Sequence, residues 1–436
     1  MVPGIIIILI FLIIAWFMVT RRMPALLALP VMALSIGLVA GLAAGLPWMR
    51  KPEEGQCLFN FLFNDILTTG SARLAQAMLY AIFGSILSQV VMRQGIAQRI
   101  VKIAAEFAGD RKMLIAFVMT AAISVAFLSL TGLGAVIMLG SLALPILIGG
   151  GLSPVFSASI FLFAISLGGV FNGANMGFYT DVLKLDLATV RSCAGAYGIL
   201  LGLVTVAFLI IEGRKDTERF TWSFTAAEPG KKTPWYALLT PVIPIALIML
   251  PSLHWPIIPS FLTAILYGCI TTEPGRIIQN LTACVMEGLK DIAPVFGLFI
   301  GIGMTLAAMM DPVTTQIMDP FIKAVIPRTP LLYIIIFTIF APLSLYRGPL
   351  NLYGLGAGFA ALVLGARMLS SEAVMAAFLA VGQIQGICDP TNTHNVWIAQ
   401  FTKLSPEEFL KKTLPYVWVF VFLALVYSVL VKHVVL

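Results

Sequence analysis

The chain has 436 residues, 60% of them hydrophobic and 11% charged, and a mean hydropathy of +1.00, which excludes a soluble globular domain and marks a polytopic helical membrane protein. The formal charge of +7 comes from 27 Lys and Arg scattered among the inter-helix loops, so it speaks of membrane orientation and not of nucleic acid. Cysteines 57, 193, 269, 284 and 388 are odd in number and widely spaced, which points away from a disulfide framework and from a metal site.

In chain order, uncharged apolar runs span residues 2–20, 23–49, 74–92, 113–180, 192–211, 233–253, 292–310, 329–346, 348–366, 373–388 and 413–431, which predicts roughly ten to twelve membrane elements. The first run lacks a basic leader and is followed by Arg21, Arg22 and another span, so it reads as a retained helix. The loop at 93–112 carries Arg93, Arg99, Lys102, Arg111 and Lys112. The polar segment EGRKDTERFTWSFTAAEPGKKTP, residues 212–234, is the one candidate linker, and its cations place it in the cytoplasm. It divides the chain into residues 1–211 and 235–436.

The two parts align at a constant shift of 217 residues, the separation of Gly84 from Gly301, which also pairs Met92 with Met309, Arg111 with Arg328, Ser153 with Ser370 and Gly169 with Gly386. The loop at 311–330, partner of the basic loop at 93–112, holds only Lys323 and Arg328 against Asp311 and Asp319. One copy therefore faces in and the other out, with the N-terminus outside. The expected fold is an all-α polytopic membrane protein of two inverted-topology repeats, an arrangement characteristic of secondary transporters.

Each copy has two expected interruptions. Residues 113–149 are too long for one crossing and carry Thr131-Gly132-Leu133-Gly134 at their middle; the matching stretch 329–366 carries SLYRGPLN, residues 344–351. Each is either two spans or a re-entrant hairpin, and in both cases the break marks a site, because non-helical backbone at membrane depth must be satisfied by protein or a water-filled cavity. The second interruption is GGVFNGANMGFYTD, residues 168–181, paired with GQIQGICDPTNTHNVWI, residues 382–398. Asn172 and Asn175 correspond to Asp389 and Asn392, and His394 stands where the first copy has Gly177. Such breaks offer amide carbonyls to a cation and half-helix N-termini to an anion.

Arg347 is the only charge between Arg328 and Arg367. A guanidinium in a membrane segment is costly and suits a carboxylate, so Arg347 is the expected anchor of an anionic substrate. Thr131, Asn172, Asn175, Asn351, Asn392 and Thr393 join it around the substrate, and Asp389, His394 and Asn395 are the expected carriers of a proton or coupling ion. Asp291, Glu287 and Lys290 read as belonging to a loop or the start of a helix. No His-Glu-x-x-His, Cys-x-x-Cys or Gly-x-Ser-x-Gly occurs, and Pro229-Gly230-Lys231-Lys232-Thr233 lacks the first glycine of a P-loop. No enzyme activity and no bound cofactor is expected, with sodium a candidate only as coupling ion.

The Gly-containing breaks at 131–134 and 347–351, the loop SLALPILIGGGLSP at 141–154, and the small-residue helices ending in NGAN and DPTN resemble the ion transporter superfamily. Its gluconate permease and citrate-proton symporter branches are nearest. The resemblance covers residues 70–200 and 287–415, in pattern more than in motif, and Asp-Pro-Thr-Asn-Thr-His departs from the Ser-Asn-Thr tips of the sodium-dicarboxylate branch. It implies a homodimeric carrier of small organic acids in the cytoplasmic membrane, coupled to protons or sodium, with two re-entrant hairpins and two broken helices. The expected function is thus symport of a small carboxylate; the alternatives are a cation-proton antiporter, in which Arg347 is structural, and a channel.

Overall fold

The computed structural model describes residues 1–20, 22–49, 56–109, 111–216, 233–250, 252–253 and 255–432. Arg21, the linker from 217 to 232, His254 and His433 lie outside them. Among the described residues every regular element is helical, as a lipid environment demands of a chain that must pair its own backbone groups.

The first copy opens with α1 (Val2–Val19) and α2 (Ala25–Ala43). A π-wound stretch Asn60–Thr69 then runs through α3 (Gly70–Ala72) into α4 (Ala75–Arg93), a continuous apolar rod of 34 residues. There follow α5 (Ile96–Ala108), α6 (Lys112–Phe127), α7 (Gly132–Gly149), α8 (Pro154–Val170), α9 (Gly173–Leu183) and α10 (Leu187–Lys215). The second copy has α11 (Ile243–Met249), α12 (Ile257–Thr272), α13 (Ile277–Met310), α14 (Pro312–Val325), α15 (Pro330–Ile339), α16 (Gly356–Gly365), α17 (Ser371–Cys388), α18 (Thr393–Thr402) and α19 (Pro406–Lys432). Among the described residues eight helices are long and apolar enough to cross a membrane, or ten if each of two bent pairs forms one span.

The elements repeat at the shift read from the sequence. Moved by 217 residues, α5, α8 and α10 fall on α14, α17 and α19, and α4 falls on the second half of α13. Two segments read as loops are helices: the basic 93–112 contains amphipathic α5, and 311–330 contains amphipathic α14, which meets α15 at 91°. Their charged faces look like loops in sequence, yet their apolar faces let them lie along a membrane surface. Glu287, Lys290 and Asp291 likewise lie within α13 and not in a loop, and α10 continues through Lys215 into the expected linker.

Packing is through small residues, which let backbones close without a hydrophobic drive between helices. The long α13 packs along α2 and α4, and a Cβ on Gly70 would stand 2.9 Å from the Met304 Cα. In the same way α8 lies on α6 at Gly168, where a Cβ would stand 2.8 Å from the Phe127 Cβ.

Candidate functional site

The first broken helix stops where Asn172 caps α9. Its Oδ1 accepts from the Ala174 N–H at 3.0 Å, and its Nδ2 donates to the carbonyls of Phe127 and Leu130, both at 3.4 Å. The chain bends by 58° there. Phe127 ends α6 and Leu130 lies in the turn that leads to α7, so that turn is buried against the break, with Ser129 Oγ donating to the Pro241 carbonyl. At the tip Thr131 caps α7, and its N–H and carbonyl both meet Ser88 Oγ, at 3.2 and 3.3 Å.

The second break reproduces this contact at the corresponding positions. Asp389 follows the last residue of α17 and is fully buried; its Oδ2 accepts from the Arg347 N–H at 3.4 Å, and Arg347 is the counterpart of Leu130 under the same shift. Its Oδ1 accepts from Thr391, from the N–H at 2.8 Å and the Oγ1 at 2.7 Å. Here α17 and α18 stay within one span, 371–402. The second hairpin is not two helices meeting at a short turn: after α15 a 3-10 turn, Ala341–Arg347, leads into an irregular segment that reaches α16. Tyr346 and Arg347 both adopt left-handed backbone, φ 56° and 57°, a strain of about 1–2 kcal/mol for each non-glycine residue.

The two breaks and the second hairpin share one cavity of about 290 Å³. Asn175, Asn351, Asn392 and His394 line it. Asn175 Nδ2 donates to the Gly169 carbonyl at 2.8 Å, and its Oδ1 accepts from the Tyr353 hydroxyl at 3.3 Å. Asn392 Nδ2 donates to the Gln385 carbonyl at 3.2 Å. His394 Nε2 lies 2.9 Å from the Gly386 carbonyl; a carbonyl only accepts, so Nε2 carries a proton, and Nδ1 is an acceptor whenever the ring is neutral. The broken helices themselves touch here, since a Cβ on Gly386 would stand 2.8 Å from Ser166 Oγ.

The remaining expected residues sit elsewhere. Asn172 and Thr131 serve the first hairpin, Thr393 is exposed at the first turn of α18, and Asp389 and Asn395 are fully buried and do not line the cavity. Arg347 is half-buried and reaches the site through its main-chain N–H, four residues before Asn351. Three of the expected residues carry a buried polar atom with no protein partner: Thr131 Oγ1, Asn351 Nδ2 and Asn395 Oδ1. Such an atom costs about 1–3 kcal/mol unless water, an ion or a ligand satisfies it.

The chain matches no protein-family profile and no curated sequence. Its fold, however, is that of solved membrane proteins. It superimposes on the YdaH transporter of Alcanivorax borkumensis with a TM-score of 0.62 at 15% identity, over 95% of this chain and 96% of that one. It superimposes on MtrF of Neisseria gonorrhoeae, described within a class of antimetabolite efflux pumps, with a TM-score of 0.59 at 13% identity and the same coverage. At these identities the likeness is one of fold.

Some residues at the site were not singled out from the sequence. Ser166, Tyr179, Tyr353, Gln383 and Gln385 line the cavity; the two glutamines were visible as amides within an apolar span, a signal of function in itself. Asp291 is the other. It projects from the middle of α13 to the first hairpin tip, where Gln89 Nε2 donates to its carboxylate and a Cβ on Gly134 would stand 3.4 Å from its Oδ2.

Proposed function

We propose that the protein is a secondary active transporter that moves a small organic acid anion together with a proton or sodium ion across the cytoplasmic membrane. The observation that carries this reading is the cavity of about 290 Å³ in which two interrupted helices and an irregular hairpin tip meet. Its size suits a small metabolite. Its walls offer amides and hydroxyls from Asn175, Asn351, Asn392, Gln383, Gln385 and Tyr353, which hydrogen-bond a carboxylate without a fixed ion pair that would hold it too tightly for release. Arg347 supplies the counter-charge from the hairpin, because a cation acts across low-dielectric protein without direct contact.

Asp389 and Asn395 are the coupling site in this reading. Asn395 Nδ2 donates to the Asp389 main-chain carbonyl at 2.9 Å and keeps an unpartnered Oδ1; these oxygens and the buried Asp389 carboxylate are donors of the kind that take a hard cation, and the carboxylate can take a proton. His394 Nδ1 is a second proton acceptor. The resemblance to organic-acid carriers supports the anion, and it adds a homodimer.

Uptake into proteoliposomes tests the reading: gluconate, citrate, dicarboxylates and lactate are offered with an inward proton or sodium gradient. One acid should accumulate, and Asn175→Ala or Asn392→Ala should lower its uptake about tenfold or more. Gradient-independent ohmic current, or uptake indifferent to both variants, sinks the proposal. The likeness to an antimetabolite efflux pump favours exchange as the second reading, in which an inward proton or cation flux expels the acid; it predicts accumulation when the gradient is reversed.

A further inference from the structure

A second cavity, of about 500 Å³, lies apart from the first and is lined by three cations: Arg73, Lys184 and Arg367. Arg73 follows α3, Lys184 ends α9, and Arg367 lies between α16 and α17. The serines 370 and 371 that begin α17 complete the wall, with Val182, Leu183, Leu364 and Leu369 behind them. Lys184 precedes α10, whose other end is Asp216 in an ion pair with Lys112 at 3.1 Å. A 29-residue helix spans about 44 Å, so this cavity opens at the face opposite the basic linker.

One nearby carboxylate offsets the lysine and leaves the two guanidiniums as the uncompensated charge. Asp181 is buried, is held by the Ala77 N–H at 2.9 Å and Lys184 at 2.6 Å, and does not line the cavity; neither do Asp311 or the exposed Glu372. Among the described residues Arg73 Nε is buried without a hydrogen-bond partner, and its Nη2 meets the Met310 sulfur, at 3.3 Å. A guanidinium left so poorly served has strong unused donors.

The repeat sharpens the point. At the shift of 217 residues Arg73 corresponds to Lys290 and Arg367 to Gly150, while Lys184 and Lys403 each end their half-helix in left-handed backbone, so Arg367 is the cation that the other copy lacks. Arg367 also has left-handed backbone, φ 53°, in a place where the first copy uses the run Gly149-Gly150-Gly151. A strained arginine in a turn that glycine would make at no cost calls for a reason in what its side chain does.

We infer that this cavity is an anion site at the non-cytoplasmic face: it binds a carboxylate or phosphate group between the Arg73 and Arg367 guanidiniums, with Lys184 at its rim. It is separate from the central cavity and stands whether or not the transport reading holds. The same chemistry comes from a soluble acid or from the phosphate of an anionic lipid headgroup.

The test is thermal stability of the purified protein titrated with citrate and with inorganic phosphate, against chloride at matched ionic strength, since a ligand of the folded state raises its stability. Citrate or phosphate should stabilise, and Arg367→Ala should raise the half-saturating concentration about tenfold or more. Asn175→Ala in the central cavity should leave that concentration unchanged. Because Arg367→Ala loosens a turn, Lys184→Ala, at an exposed side chain, is measured beside it and should weaken binding in the same direction. Nanodiscs then separate the sources: a response that persists in phosphatidylglycerol assigns the site to soluble acids, and one seen in phosphatidylcholine but lost in phosphatidylglycerol assigns it to the lipid headgroup. No stabilisation beyond chloride, or equal titration of wild type, Arg367→Ala and Lys184→Ala, overturns the inference.

Discussion

Asn172 satisfies its side chain wholly from neighbouring main chain, through Ala174, Phe127 and Leu130. Asp389, at the same place in the other copy, takes bonds from Thr391 and the Arg347 N–H but adds a charge that a sealed site tolerates only with a cation or proton at hand. Asp389→Asn should therefore fold, with Thr391 still donating to the amide oxygen, while acid uptake loses its response to the proton or sodium gradient and counterflow exchange survives. Retained gradient-driven accumulation would remove Asp389 from the coupling site. The reciprocal Asn172→Asp sets a carboxylate against two carbonyl oxygens and should cost about 3–5 kcal/mol of stability, read as a large loss of thermal stability. This asymmetry was legible in the sequence because breaks in an apolar chain expose their polar residues. The contact of the Arg347 N–H with Asp389 and the place of Asp291 were not. A main-chain bond carries no side-chain signal, and Asp291 hides among charges that look like a loop because α13 extends 34 residues, beyond a single apolar run.

Among the elements, the α6–α7 hairpin owes its position to one close approach. Gly168 on α8 faces the Ser124 carbonyl and the Phe127 side chain, and Phe127 offers the carbonyl that Asn172 binds. A methyl group at position 168 must push the hairpin away from the break. Gly168→Ala should cost about 1–3 kcal/mol by overpacking and lower transport further than that loss explains, because the Asn172 contacts part with it; thermal unfolding and uptake measured on the same preparation separate the two effects. Equal transport per folded molecule would show that the hairpin's register does not matter. Hydrophobic runs and their spacing revealed the spans, the breaks and the repeat, since those depend on composition along the chain. They did not reveal α5 and α14, whose amphipathic pattern leaves no continuous apolar run, or the irregular path from Ala341 to Leu355, which is set by tertiary contacts such as Arg347 with Asp389.

At the scale of the molecule, α9 and α17 connect the two cavities. Asn175, Met176 and Tyr179 line the central one and Val182, Leu183 and Lys184 the cationic one, while on α17 Phe378, Gly382 and Gln383 are followed toward its start by Ser370 and Ser371. Phe178, on the face of α9 between Asn175 and Val182, stacks on Tyr353 at 4.4 Å and on Phe299 at 4.9 Å. Three rings from α9, the second hairpin and α13 thus join the parts that must separate if the central cavity is to open toward the cationic face. Alternating access makes a sharp demand on such a structure: the cavity meets one side at a time. Gln383→Cys in a cysteine-free background should be labelled by a membrane-impermeant thiol reagent from only one side in a given state, and adding the transported acid should shift labelling toward the other. Phe178→Ala removes the middle ring and should raise labelling from the cationic face several-fold by shifting the population toward the state open there. Labelling from both sides at once, unaltered by substrate or by the loss of Phe178, would describe a continuous pore, and transport would then be a channel's.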